Sequence, residues 1–169
     1  MSKVSTLHPI RRKDKEITEE AELKAILKEA KHVTLAMSLG DEPYLVTLSH
    51  GYNEEQNCIY FHSALEGKKI EILKANSRIW GQALIDDGYQ QGSCDHLYRT
   101  VQFRGRVTFV DDQKEKEHAL RLMIRHLDDR PEIIIENQVT EHSTKRILVG
   151  RIDIDYMSGK KADKVIVQL

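Results

Sequence analysis

The chain has 169 residues, enough for one domain whose core needs neither disulfides nor a metal to hold it together. Its 26 Lys and Arg stand against 27 Asp and Glu, a net charge of −1. This balance argues against a nucleic-acid or membrane-surface partner, because proteins of both classes usually carry a basic excess. Two cysteines without a CxxC pair exclude a disulfide scaffold and a paired-cysteine zinc site. The polar N-terminus and the lack of a long apolar run predict a cytoplasmic protein.

The N-terminal part of the chain is strongly polar. We expect residues 1–16 to form a basic arm and residues 17–169 to form a single domain. Apolar residues at helical spacing predict a first helix over residues 18–31 with Thr18 as its N-cap, and the apolar positions are Leu23, Ile26, Leu27 and Ala30.

Alternating apolar residues dominate the rest of the sequence and predict an antiparallel sheet. Six strands are expected, over residues 32–39, 44–52, 58–62, 78–85, 98–110 and 145–156. Residues 86–97 have the composition of a loop, and a short terminal strand is expected at 165–167. Gly105 suggests a bulge or a close backbone approach, and the alternation shifts at Gly150–Arg151 as it would at a β-bulge.

Two further helices interrupt these strands. Ser63 and Glu66 predict a capping box for a helix over 65–75, and Asp112 begins a more regular helix over 112–127. Residues 128–144 fit neither period. Because strands and helices do not alternate as βαβ units, the pattern favours a mainly β, α+β fold built on an antiparallel sheet or barrel.

The segment from His62 to Lys69 carries the clearest chemistry. A strand ends there, a helix begins, and Lys68 and Lys69 lie where the helix dipole is already positive. A phosphate bound by the lysines, the Ser63 hydroxyl and free backbone N–H groups would resolve this conflict. The alternative is that both lysines are solvated and Glu66 relieves their repulsion.

No other known nucleotide or metal motif is present. The sequence contains neither a P-loop nor a G-x-G-x-x-G fingerprint, and its histidines do not fall at metal-ligand spacing, so no metal site is expected. A single histidine on a strand, such as His50, is more often structural than a ligand.

Several segments, taken in order, resemble a known family over about residues 10–157. They are Arg11–Ile17, Tyr60–Ala64, Glu66–Lys69 and Cys94–Val101. This set is similar to the pyridoxamine 5′-phosphate oxidase-related, FMN-binding split barrels, and in particular to the nitroimidazole-resistance-type flavin reductases.

The resemblance implies a six-stranded antiparallel split β-barrel with flanking helices, which forms a homodimer with FMN at the subunit interface. Under this resemblance His62 and Ser63 lie at the ring-to-ribityl end, and Lys68 and Lys69 hold the phosphate. Thr100 falls where the oxidases carry a glutamine that contacts the flavin. The strand along the isoalloxazine consists of Val46, Thr47, Leu48 and Ser49.

Two departures argue against true pyridoxamine 5′-phosphate oxidase activity. Leu45 stands where the oxidases have an arginine, and the chain has no arginine after Arg151. We therefore expect an FMN-dependent oxidoreductase that reduces a small substrate such as a nitro compound or a quinone, with His62 as the candidate catalytic proton donor.

Other ligands stay open at this stage. The same barrel could store or sense flavin without catalysis, bind FAD or the deazaflavin F420 instead of FMN, or bind haem. The haem alternative would use one of the strand or loop histidines as the iron ligand, namely His50, His62 or His96.

Overall fold

A computed structural model describes residues 9–163. The strands are β1 (Glu16–Ile17), β2 (His32–Leu39), β3 (Glu42–Ser49), β4 (Gly51–Asn53), β5 (Cys58–Ser63), β6 (Arg78–Gln90), β7 (Asp95–Phe109) and β8 (Leu148–Ala162). The helices are α1 (Glu20–Glu29), α2 (Lys68–Ala75), α3 (Gln113–Leu127), α4 (Pro131–Gln138) and α5 (Glu141–Lys145). The predicted strand at 165–167 and the first half of the predicted arm lie outside the described residues.

All strands belong to one antiparallel sheet in the order β3-β2-β6-β7-β8-β5-β4, with β1 paired to β8. The two ends of this order, β3 and β4, are consecutive in the chain and are separated only by His50. The sheet therefore curls round into a split barrel, which confirms the predicted α+β class. The strand count is eight rather than six, because the predicted strand 44–52 breaks at His50 and the short β1 adds to β8.

The barrel interior is filled by one face of the central strands. Val33 and Leu35 of β2, Ile79 of β6 and Phe103 of β7 are almost fully buried, and α1 covers one opening with its apolar stripe. Glycines leave space for large aromatic rings on the neighbouring strand that point into the core. A methyl group at Gly81 would overlap the Phe103 ring, which lies opposite it in the register.

The bulge between β7 and β8 lies at only one of the two positions that the sequence pattern indicates. The register between β7 and β8 shifts at Arg104 and Gly105, where Asp155 is the extra residue on β8. The expectation of a bulge at Gly150–Arg151 is therefore wrong. Gly150 instead faces the Phe61 ring, which leaves no space for a side chain. Both expectations for Gly105 are confirmed, since the register shifts there and a methyl group at Gly105 would lie too close to the Asp153 carbonyl oxygen.

The segment predicted as a loop, 86–97, is mostly a hairpin. β6 continues to Gln90 and β7 begins at Asp95, and the two strands stay paired on both sides of an extra residue at Asp87. The Asp86 carboxylate accepts hydrogen bonds from the Gly88 N–H at 2.8 Å and from the His96 ring at 2.7 Å. The Gly and Asp residues that indicate a loop here serve a bulge and a tight turn instead.

Two helix starts differ from the prediction. α1 begins at Glu20 after Glu19, so Thr18 is not its N-cap. α2 begins at Lys68 after Gly67, and the capping box of Ser63 and Glu66 does not form. The physical reason is that Ser63 is still paired with Leu148 in the sheet and cannot serve the helix.

The remaining helices follow the sequence pattern more closely. The Asp112 side chain caps α3 by accepting the Glu115 N–H at 2.8 Å, as expected. The ambiguous segment 128–144 contains the short helices α4 and α5. No helix among residues 9–163 is long and apolar enough to cross a membrane.

His50 fixes the bend that closes the barrel. Its side chain is fully buried, and its Nε2 donates to the Leu27 carbonyl oxygen at the end of α1 at 2.9 Å. The neighbouring His126 ring, 5.0 Å away between centroids, donates to the Ala30 carbonyl oxygen at 2.7 Å. Burial is the main cause that lowers the pKa of His50 to about 4. Two imidazoles thus satisfy carbonyl groups that the end of α1 leaves unpaired.

The buried His50 makes stability depend on pH. Its pKa is lower in the folded chain than the ordinary 6.5, so the unfolded chain binds the extra proton between about pH 6.5 and 4. We expect the free energy of unfolding to be highest above pH 6.5 and to fall by roughly 3 kcal/mol on acidification through this window. Urea unfolding of the wild type and of His50→Gln at several pH values measures the difference. The exposed His142→Gln is the control, and an unchanged pH profile in His50→Gln would contradict the expectation.

Close packing of Gly81 on Phe103 gives a second prediction. Gly81→Ala should lower the free energy of unfolding by about 1–3 kcal/mol, because the buried Phe103 ring must move to admit the new methyl group. In a Phe103→Leu background the same change should cost clearly less, since the smaller side chain frees the space. Thermal and urea unfolding of the four proteins of this cycle test the coupling. Equal costs in both backgrounds would show that the ring is not the obstacle.

Candidate functional site

The two lysines singled out in the sequence lie where β5 gives way to α2. β5 ends at Ser63, and Gly67 then turns the chain with a φ of 130°, a conformation that side chains rarely adopt. Lys68 and Lys69 are the first two helical residues. No side chain caps the first turn of α2, so the lysines share this place with N–H groups that lack an intrahelical acceptor.

Each lysine lies against an aromatic ring rather than a carboxylate. The Lys68 Nζ is 4.8 Å from the centroid of the Tyr44 ring on β3, and the Lys69 Nζ is 5.9 Å from that of Phe61 on β5. Within residues 9–163 neither ammonium group forms an ion pair with a carboxylate. Glu66 forms no ion pair with them, so the alternative in which it relieves their repulsion has no support.

His62 lies close to Lys69 at this end of the barrel. It lies opposite Val149 of β8, one residue before the end of β5. Partial burial of the ring and the nearby charge of Lys69 both lower the pKa of His62 below its ordinary value. Partial burial also lowers the pKa of Lys69. The lowered pKa values mean that the protonated forms of His62 and Lys69 are disfavoured at this site, and a bound anion would stabilise them.

The segment predicted to lie along a ring system, 46–49, forms the end of β3. Val46 and Leu48 are partly buried and pack against the core, while Thr47 faces outward and bonds to the Thr34 hydroxyl at 2.9 Å. Among residues 9–163, β3 pairs only with β2. Every second backbone N–H and C=O along β3 therefore points to an open edge, where a ligand can bond to it. Ser49 is the last residue of this edge.

Thr100 lies away from the other predicted site residues. It is on β7, three strands from β3 in the sheet order, which is roughly 14 Å along the curved sheet. Its side chain is nearly buried, and its hydroxyl donates to the Ala83 carbonyl oxygen at 2.9 Å. Within one chain, the structure therefore does not bring Thr100 together with Lys68 and Lys69.

The outer face of the sheet carries a shallow cavity of about 220 Å³ that the sequence reasoning missed. Gln82 lies between Thr34 and Gln102 in the strand register, so these side chains share one outward row. The alternation of side chains along each strand could have shown that these residues face outward. The sequence does not give the order of the strands, which is what places them in one row. The cavity borders β3 at Leu45, and its lining residues are Thr34, Ala36, Leu45, Trp80, Gly81, Gln82 and Gln102.

The histidines considered as iron ligands occupy three different environments. His50 is buried and bonded to the end of α1, His96 is exposed and paired with Asp86, and only His62 lies beside the lysines. In the part of the chain that the structure describes, no three His, Cys, Asp or Glu side chains form a cluster able to hold a metal ion.

These features together fit an elongated ligand with an anionic end. A phosphate would be bound by positive charge at Lys68, Lys69 and the uncapped start of α2. The open edge of β3 supplies backbone donors and acceptors, and Leu45, 65% exposed, supplies apolar surface.

Comparisons with solved structures find the same fold in several proteins. A candidate 5-nitroimidazole antibiotic resistance protein from Bacteroides thetaiotaomicron is 25% identical, with a TM-score of 0.73 and coverage of 88% of this chain and 90% of that one. The flavocytochrome Anf3 from Azotobacter vinelandii is 19% identical, with a TM-score of 0.77 and coverage of 93% and 73%. A FAD-binding protein from Mesorhizobium loti is 23% identical, with a TM-score of 0.64 and coverage of 86% and 96%.

Comparison with protein families gives a match over most of the domain. The family described as pyridoxamine 5′-phosphate oxidase matches residues 19–161, which include the barrel, the lysine pair and the helices α3 to α5. A search of curated proteins finds no match. Because the family match spans more than half of the sequence, and the structural matches share its barrel, the chain belongs to the pyridoxamine 5′-phosphate oxidase family.

Proposed function

We propose that the protein binds FMN beside Lys68 and Lys69, along the open edge of β3. In this proposal it serves as an oxidoreductase that reduces a small oxidised substrate, such as a nitro compound or a quinone. One observation carries the proposal. Lys68 and Lys69 stand at an uncapped helix start beside an open strand edge, and within the described chain no carboxylate pairs with either of them. Such a site attracts a phosphate and leaves room for a planar group along β3.

The relatives support a flavin as the ligand. One solved structure of this fold is named a flavocytochrome and another a FAD-binding protein. FMN is our proposal over FAD because the site offers one compact positive group, which suits a single terminal phosphate. The likeness to the nitroimidazole resistance protein supports a nitro compound as one substrate class.

The residues of the chain would bind and orient the cofactor, while a bound flavin supplies the electron transfer. In this arrangement Lys68 and Lys69 bind the phosphate, and the backbone of Val46–Ser49 orients the ring. Ser63, the last residue of β5 before the turn that leads to Lys68, is the candidate ligand of the ribityl chain. His62 is the candidate proton donor, since a bound dianion beside it would raise its lowered pKa.

We further propose that a second copy of the chain completes the site. In one protomer Thr100 lies three strands from β3, on the outer sheet face. This face exposes large apolar side chains, with Leu45 at 65% and Leu84 at 53%. Covering them in a homodimer would bury apolar area and would bring the outer-face cavity of one protomer to its partner.

The proposed function is tested first by the visible spectrum of the purified protein and by titration of the stripped protein with FMN. We expect a flavin spectrum or stoichiometric FMN uptake, and then NAD(P)H-dependent bleaching that a nitroaromatic or quinone reverses. A haem spectrum, or a protein that takes up no flavin, would refute the proposal. FMN uptake without turnover of any such substrate would favour flavin storage or sensing.

Removal of the lysine charges gives a sharper test. Lys68→Ala/Lys69→Ala should raise the Kd for FMN by about a hundredfold or more, because two charge-assisted contacts contribute about 1.5–3 kcal/mol each. Affinity for riboflavin, which lacks the phosphate, should change little. Lys74→Ala, at the exposed far end of the same helix, is the matched control. Unchanged FMN affinity in the double variant would mean that the lysines are only solvated.

A further inference from the structure

We propose that Tyr44 determines the preference of the site for a phosphate-bearing flavin, by holding the ammonium group of Lys68 in place with its ring. This inference rests on the proposed function. It concerns a positioning residue that touches the lysine and not the ligand.

Of the Tyr44 and Lys68 side chains, that of Tyr44 is the one held in place by packing. It lies on β3 opposite Met37 of β2, is partly buried, and packs against the core. Lys68 is exposed at the first position of α2, and its Nζ lies 4.8 Å from the centre of the Tyr44 ring. A cation at this distance is attracted by the ring quadrupole. The ring therefore selects one position of a long side chain that would otherwise sample many.

The chemistry of the partner matters as much as its position. A carboxylate would hold the lysine more strongly, but it would neutralise the charge and compete with the phosphate. An aromatic ring orients the ammonium group and leaves its charge and its N–H donors free for an anion. Arg99 shows the opposite case in the same protein, since Glu29 and Asp87 both pair with its guanidinium.

The same arrangement is repeated on the other wall of the site. Consecutive residues of an α-helix point about 100° apart, so Lys68 and Lys69 reach different strands. Lys69 lies 5.9 Å from the ring of Phe61, which is fully buried on β5 and has room there because Gly150 has no side chain. Two rings from opposite ends of the strand order thus hold two ammonium groups, with no carboxylate paired to either in the described chain.

The Tyr44 hydroxyl takes no part in holding the Lys68 ammonium group. It makes no hydrogen bond within residues 9–163, so a phenylalanine at this position keeps the ring and its effect. Tyr44→Phe is therefore the conservative variant, and Tyr44→Leu removes the ring.

The experiment measures the Kd of FMN and of riboflavin for the wild type, Tyr44→Phe and Tyr44→Leu by flavin fluorescence. We expect the wild type and Tyr44→Phe to prefer FMN by the same factor within twofold. In Tyr44→Leu that preference should fall by about fivefold, in line with the loss of one cation–π contact. A purely structural defect would weaken both ligands equally and leave the ratio unchanged. An unchanged ratio in Tyr44→Leu would overturn the inference.

A measurement on the wild type covers the case in which Tyr44→Leu does not fold. The side-chain protons of Lys68 next to its ammonium group should show an upfield ring-current shift in the NMR spectrum, and unshifted protons would overturn the inference. Failure of the inference is distinct from failure of the proposed function. A wild type that binds no flavin, or binds riboflavin as tightly as FMN, refutes the phosphate site itself and the role of Tyr44 with it.

Discussion

Closure of the sheet at His50 is the constraint on which the rest of the structure depends. One continuous stretch of chain provides both the first and the last strand in the sheet order, so the sheet can only curl round. The bend buries a polar ring, and this is tolerable because α1 ends where its Leu27 carbonyl oxygen needs a donor. The closure also leaves β3 with one partner only, and its open edge is the side on which we place the flavin.

Electrostatics then distinguish one end of the barrel from the rest of the surface. Some charged side chains elsewhere are paired, as in the bonds of Arg104 to Asp155 and of Arg151 to Glu115. Such surface pairs contribute little stability, but they leave the arginines unavailable to an anion. Lys68 and Lys69 are held by rings instead. The net charge of −1 therefore averages over a surface of mixed charge and the two adjacent lysines at the start of α2.

The accuracy of the sequence predictions followed the range of the interactions involved. The stripe and cap of α3 and the alternation in β2 are local patterns, and both elements form where they were expected. The segment 86–97 was mistaken for a loop, because Gly and Asp residues are equally compatible with a bulged hairpin held by cross-strand pairing. The capping box predicted for Ser63 does not form for a similar reason, since Ser63 pairs with Leu148 of β8, which is distant in the sequence.

The sequence by itself determined the class of the fold, the resemblance to its family and the presence of two lysines at the start of a helix. Only the tertiary structure decided what those lysines contact, that Thr100 lies three strands from β3, and that Glu66 takes no part. The physical reason is that periodicity reports which face of an element is buried, but not which element covers it. Tyr44 and Phe61 meet the lysines through the order and register of strands that no local pattern encodes.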